Sequence, residues 1–397
     1  MATADPVPEL ATTPTRPATD LLVMVSAGSP EQFEAVVGNL ASSFPPEGLL
    51  IANRGPFPAK DYSALRIVSA PSANPGAWSL TAAEFAEAYR LAQENEARAV
   101  LMLGPGSDSL APRALRGLAD AVLNASADLA APFYTLPPHG GMINSAILYP
   151  LSRTLFASPV RFPLAIDLGL SPRMVQRLAV AAQRFSAADQ AEALLWPVNE
   201  AVAGGLTVEE LDAGPRALPQ PAEPDINSVL ARVTGSLFAD IEAKAAFWQR
   251  ARRLPPLHHA NSEQPLPEGA SDVSHIVESF RFAYNNLLEI WTLILPPHSL
   301  VGLKRLSLMS AAEFRMPDNL WARIVFDFLV AYRLRTINRG HLLGAFIPLY
   351  LAWVAGHINV TVAGAGSERH IEAVAAAFEA DKPYLVARWR WPDRFNA

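Results

Sequence analysis

The chain's first strongly patterned segment is LLVMVSAGSP, from Leu21, where five consecutive apolar residues run into a Gly-Ser-Pro turn. A short unbroken apolar run closed by turn residues predicts a strand buried on both faces. In the following EQFEAVVGNLASSF, Phe33, Val36, Val37 and Leu40 recur at helical spacing. GLLIANRG and ALRIVSAP read as further short strands, TAAEFAEAYRLAQENEA as a helix and RAVLMLG as the next strand. A helix over Arg113–Asn124 and a strand in ADLAAPFY continue the alternation. Strand alternating with helix predicts an α/β, doubly wound, mostly parallel sheet. Ligands of such sheets bind at the carboxyl ends of strands. The turn Gly104-Pro105-Gly106, in VLMLGPGSDSLAP, lies at one of those ends.

The pattern changes in the second half. ALPQPAEPD (Ala217–Asp225) reads as a linker. Beyond it, Val229, Val233, Leu237, Ile241 and Trp248 mark a helix, and a Pro-rich stretch from Leu254 to Pro267 interrupts. Helices recur around Ile276–Leu295, Leu320–Ile337, Leu342–Gly356 and Glu368–Ala380. The expected division is a disordered tail over 1–20, an α/β domain over 21–218 and a helical C-terminal domain over 219–397. His341–Gly366 contains no Asp, Glu, Lys or Arg and is long enough for a membrane span. Pro348, His357, Asn359 and the closing glycines favour instead a buried helix of a soluble domain.

Composition narrows the function classes. The 397 residues include no cysteine, which excludes disulfides, thiolate metal sites and a cysteine nucleophile. A net charge of -6 without a basic stripe argues against a nucleic-acid binder. The Pro-, Thr- and Ala-rich start lacks the basic and apolar regions of a secretory signal, so a cytoplasmic location is expected. There is no Gly-x-Ser-x-Gly elbow, no Gly-x-x-x-x-Gly-Lys-Ser/Thr loop and no zincin-type histidine pair.

Three strings carry a family resemblance: Ala131–Ser171, Pro317–Arg333 and His341–Ala355. Within them, Tyr149-Pro-Leu-x-Arg153 and the Asp167–Ser171 string DLGLS are the most specific pieces. In this order they resemble the bacterial family 2-like glycosyltransferases related to glucosylglycerate and mannosylglycerate synthases. The resemblance implies a GT-A nucleotide-sugar domain with a helical C-terminal domain. It also implies sugar transfer from a nucleotide donor to a small acceptor such as a glycerate. In the family, Mg²⁺ or Mn²⁺ neutralises the leaving diphosphate, and an Asp-x-Asp at a strand end supplies oxygen ligands.

The family's chemical positions are largely replaced. Gly104, Pro105 and Gly106 stand where the Asp-x-Asp falls. On the donor side Pro75 and Gly76 remain, but Ala77 takes the lysine's place and Trp78 the second glycine's. Leu194 stands for the acceptor-side acid and Leu218 for a metal-binding histidine, while Gly214 is kept. Asp167 survives from a Gly-Gly-Asp. Leucine and alanine neither bind metal nor move protons.

Several residues carry two readings. Asp108 serves as a displaced ligand or as a cap for the following helix, the cap being favoured. Gly104 and Gly106 cradle phosphate or form an ordinary strand-to-helix turn, which is favoured because proline removes an N–H. Asp167 acts in the cleft or holds a loop by hydrogen bonds. Arg153 and Arg161 bind a carboxylate or phosphate, or make ordinary ion pairs. His139 sits in PPHGG over the expected cleft. Trp78, Trp196, Trp291, Trp321 and Trp353 read as core.

The expected function is therefore a glycosyltransferase homologue with degraded metal-dependent catalysis and a binding or scaffold role. No cofactor is expected, the ligands for Mg or Mn being absent. A nucleotide sugar, an active paralogue or a second copy are the expected partners; nucleic acid and membrane are not. The alternative is an active, metal-independent hexosyl transferase.

Overall fold

A computed structural model describes residues 19–55, 64–70, 72, 80–124, 126–137, 139–188, 190, 192–217, 226–251 and 272–392. Leu21–Val25 forms β1, with all five side chains buried, as an unbroken apolar run requires. The helix α1 (Pro30–Ser43) follows, capped by Ser29 and burying Phe33, Val36, Val37 and Leu40. Next come β2 (Leu49–Asn53), β3 (Arg66–Ser69), α2 (Ala82–Glu94), β4 (Ala99–Leu103), α3 (Pro112–Leu123) and β5 (Leu129–Thr135). A π-helical turn, Asn144–Leu148, runs straight into α4 (Tyr149–Phe156). The first half closes with β6 (Leu168–Leu170), α5 (Pro172–Ser186), α6 (Pro197–Ala203) and β7 (Val208–Pro215).

The seven strands are ordered β3-β2-β1-β4-β6-β5-β7. All pairings are parallel except those of β6, which is antiparallel to β4 and β5. The strand β6 is short and carries Gly169, where a Cβ would lie 2.2 Å from the Leu118 carbonyl oxygen of α3. Only glycine lets that helix rest so close on the sheet.

The second half is helical: α7 (Ile226–Ala243), α8 (Ala245–Trp248), α9 (Ser274–Ile294), α10 (Pro297–Ser307), α11 (Asp318–Leu334), α12 (Arg339–Val362) and α13 (Ser367–Arg390). The expected architecture, a mostly parallel sheet with a helical C-terminal region, is thus present. The helix α12 is long and apolar enough to cross a membrane, and 56% of its most apolar window is buried within the chain. It packs against α7, α9, α11 and α13.

Two large hydrophobic cores are present among the described residues. Sheet strands and α1, α2, α3 and α5 fill one. The other joins the helical region to Ala146–Phe156, Leu194 and Trp196. Thus α4 belongs by packing to the helices that follow it much later in sequence. Trp321 fixes this by donating its indole N–H to the Ala146 carbonyl at 2.8 Å.

Candidate active site

The chain leaves β3 at one edge of the sheet and re-enters at β4, beside β1. That reversal is a topological switch point, the place where open α/β sheets bind ligands, in the crevice between the loops that follow the two strands. One of these loops is Ser26–Ser29, with Gly28 N–H bound to Gln32 Oε1 at 3.0 Å. The other is Gly104-Pro105-Gly106 at the end of β4, with Gly104 and Pro105 buried.

Both glycines are required by space. A Cβ at Gly104 would lie 2.8 Å from Ile166. Gly106 has φ +79°, and its Cβ would meet the Ala217 carbonyl and Arg216 Nη1, each at 2.8 Å. A positive φ favours glycine on its own account. The corner behind the turn is filled.

Asp167 and Arg216 fill it, both side chains being inaccessible to solvent. Arg216 Nε donates to Asp167 Oδ2 at 2.8 Å and Nη2 donates to Oδ1 at 3.2 Å. Asp167 also accepts from the Gly104 N–H at 3.0 Å and the Tyr134 hydroxyl at 2.7 Å. The remaining guanidinium donors go to the Pro105 carbonyl at 3.0 Å, the Ala217 carbonyl at 2.7 Å and Ser109 Oγ at 3.4 Å. Every nitrogen of the cation is engaged, as a buried charge demands. Burial by itself would lower the Arg216 pKa, but the charge and hydrogen bonds of Asp167 outweigh it and raise it. Burial, then the neighbouring Asp167 charge, pushes the Tyr134 phenol well above its ordinary range.

A divalent cation of the kind the resemblance implies needs several free oxygen ligands. Both oxygens of Asp167 are already bound to protein donors. Among the described residues no group of three or more histidines and carboxylates could hold a metal. The described residues of this corner do not fit the ion.

Asp108 differs from the favoured expectation. It sits inside a single 3-10 turn, Ser107–Ser109, and α3 has Ala111 at its N-cap with no side-chain bond. The Ser109–Ala111 spacing leaves Pro112 to start that helix, which removes one N–H that a cap would serve. One Asp108 oxygen is buried without a hydrogen-bond partner among the described residues.

Arg153, Arg161 and His139 lie in a different set of contacts. Arg153 pairs with Glu372 at 2.5 Å and Glu379 at 2.9 Å, and Arg161 pairs with Glu368 at 3.0 Å. All three acids are on α13. His139, held at φ +61°, hydrogen-bonds through Nε2 to Thr361 Oγ1 of α12 at 3.1 Å. These residues join the two halves of the chain. Leu194 is buried, in an isolated bridge to Thr81. Pro75, Gly76, Ala77, Trp78 and Leu218 lie outside the described residues.

The sequence reading assigned no role to Arg216 or Tyr134. A signal existed: an aspartate inside the apolar string AIDLGL must find a cation if it is buried. It also missed Arg54, at the end of β2, whose Nη2 lies 2.7 Å from Glu84 Oε1 in a pair that is almost fully buried. Ser72 Oγ donates to the same oxygen at 2.6 Å. This pair stands at the carboxyl end of β2, on the β1 side of the crevice.

No protein family and no curated protein sequence matches the chain. Among solved structures, glucosyl-3-phosphoglycerate synthase from Mycobacterium tuberculosis, in complex with phosphoglyceric acid, has a TM-score of 0.36 and 13% identity, over 56% of this chain and 79% of that one. The same synthase with Mn²⁺, uridine diphosphate and glucosyl-3-phosphoglycerate gives 0.37 and 15%, over 56% and 80%. A structure described as a mycobacterial protein gives 0.38 and 12%, over 64% and 82%. At these identities and TM-scores neither activity nor residue roles pass from those proteins to this chain.

Proposed function

We propose that this chain is a nucleotide-sugar glycosyltransferase homologue in which metal-dependent transfer has been lost, and that it works by binding. The reading rests on the sequence resemblance for the fold family and on one observation for the loss. That observation is the buried Asp167–Arg216 pair behind Gly104-Pro105-Gly106. A metal-dependent transferase needs a cation that faces the diphosphate and carries unspent charge. Here the cation is a guanidinium whose charge and donors are consumed inside the protein. The pair is neutral overall, so the turn offers a diphosphate no counter-charge.

On this reading a nucleotide sugar is held without metal at the switch point between β1 and β4. The role that follows is a scaffold or regulatory one, toward an active relative or a second copy of the chain.

The test is calorimetric titration of the full chain with UDP-, GDP- and ADP-glucose and the corresponding mannose donors, each with and without Mg²⁺ or Mn²⁺. Affinity independent of metal and no sugar transfer support the proposal. Metal-enhanced nucleotide binding would falsify it, as would metal-free turnover with a glycerate-like acceptor.

A further inference from the structure

A second cluster lies away from the crevice, where α11, α12 and the start of α13 meet. His370 Nε2 is 3.1 Å from Asp318 Oδ1. The Nδ1 atoms of His357 and His370 are 2.8 Å apart. His357 Nε2 is 3.1 Å from Ser367 Oγ. The two rings are near-parallel, at 19°, and Trp353 stacks against both. His357 is fully buried and Ser367 only partly so.

The direction of this chain follows from donor and acceptor chemistry. A carboxylate oxygen only accepts, so His370 presents Nε2–H to Asp318. In a neutral His370, Nδ1 is then an acceptor, and His357 must donate Nδ1–H to it. The Nε2 atom of His357 is left as an acceptor, and the Ser367 hydroxyl donates into it. Burial first, then the neighbouring His370, His139 and Arg161, hold His357 down at about 3, so it stays neutral and hands the charge on rather than keeping it. A serine whose proton points at an oriented imidazole backed by a carboxylate has the geometry of an activated nucleophile.

We propose that Ser367 is a nucleophile toward activated acyl esters, with His357 as its base and His370 and Asp318 carrying the charge. Its Oγ bonds to the ester carbonyl carbon as the hydroxyl proton moves to His357 Nε2. The Nδ1 proton of His357 passes to His370, which becomes an imidazolium against Asp318. The proton returns along the chain to the leaving alkoxide as the ester C–O bond breaks. Water repeats the cycle and releases the acid. Ser367 opens α13, a 24-residue helix with no side-chain cap bond, and in the proposed step its first-turn N–H groups stabilise the oxyanion. Ser367 is half-exposed, and Gly364 and Gly366 just before it are exposed.

The full chain is treated with a fluorophosphonate probe and, separately, with p-nitrophenyl acetate. A single adduct on Ser367 is expected, with ester hydrolysis falling about 10²- to 10⁴-fold in His357→Gln. Because the chain has no cysteine, Ser367→Cys gives a clean second readout. Its iodoacetamide alkylation at neutral pH should exceed that of an ordinary thiol by about tenfold, and fall back when His357→Gln is added. A folded protein with no adduct on Ser367 overturns the proposal. So does Ser367→Ala that hydrolyses the ester as fast as the parent, or a Ser367→Cys thiol of ordinary reactivity.

Discussion

Replacing Arg216 with methionine tests the reasoning at the crevice most directly. The side chain is inaccessible and holds Asp167 through contacts of 2.8 and 3.2 Å. Its removal leaves the carboxylate with the Gly104 N–H and Tyr134 hydroxyl alone, and strips a donor from the Pro105 and Ala217 carbonyls. Breaking a buried pair from one side costs about 3–5 kcal/mol. The methionine recovers part of this by filling the apolar volume, and the lost carbonyl partners add about 1 kcal/mol. The expected loss is about 4 kcal/mol, or about 8–16 °C in Tm if the first half unfolds as one unit. Urea denaturation followed by far-ultraviolet circular dichroism reads it as a fall in midpoint at constant slope. Adding Asp167→Asn removes the stranded charge and should return about 2 kcal/mol. A loss below about 1 kcal/mol, the size of an exposed pair, would refute the argument. So would a double variant no better than the single one.

Three further outcomes are expected. Gly104→Asp with Gly106→Asp, which restores the family's acids, should lower stability by at least about 2 kcal/mol and gain no Mn²⁺ affinity by calorimetry, because the new Cβ atoms meet Ile166, Ala217 and Arg216 at 2.8 Å. Burial raises Glu210 from 4.5 to about 7 against the Arg161 N–H and charge, with Glu368 and Glu372 adding to the rise. Its contribution is therefore full below about 4.5 and lost as pH rises through about 7, so the chain should lose on the order of 3 kcal/mol relative to Glu210→Gln between pH 4.5 and 8. Glu372→Gln with Glu379→Gln should cost about 2 kcal/mol and speed amide exchange in α4 as well as α13; exchange changed in α13 alone would contradict the clamp.

The sheet was legible because its strands are unbroken apolar runs such as Leu21–Val25, and because Phe33, Val36, Val37 and Leu40 repeat at helical spacing. The reversed strand β6 was not legible, since three residues carry no periodicity and direction is set by the chain path. Nor were α5 and α10 read from spacing, and β7 has mixed burial that blurs its alternation. At the crevice the loss of carboxylates could be read residue by residue. The replacement could not: Arg216 is 49 residues from Asp167, and pairing at that range is invisible to local pattern. The same limit governs Arg153 and Arg161, whose partners lie more than 200 residues downstream.

That separation has a consequence for how the protein is made. Domains generally fold as units, the amino-terminal one first, as the chain emerges. Here α4 joins the core of the helices behind it, and the acids that neutralise Arg153 on α4 and Arg161 just beyond it belong to α13. Until α13 leaves the ribosome, the early half holds a strip of uncompensated charge and uncovered apolar surface. Contacts so far apart along the chain slow folding, and they leave the early half of the nascent protein dependent on Ser367–Arg390 to be completed.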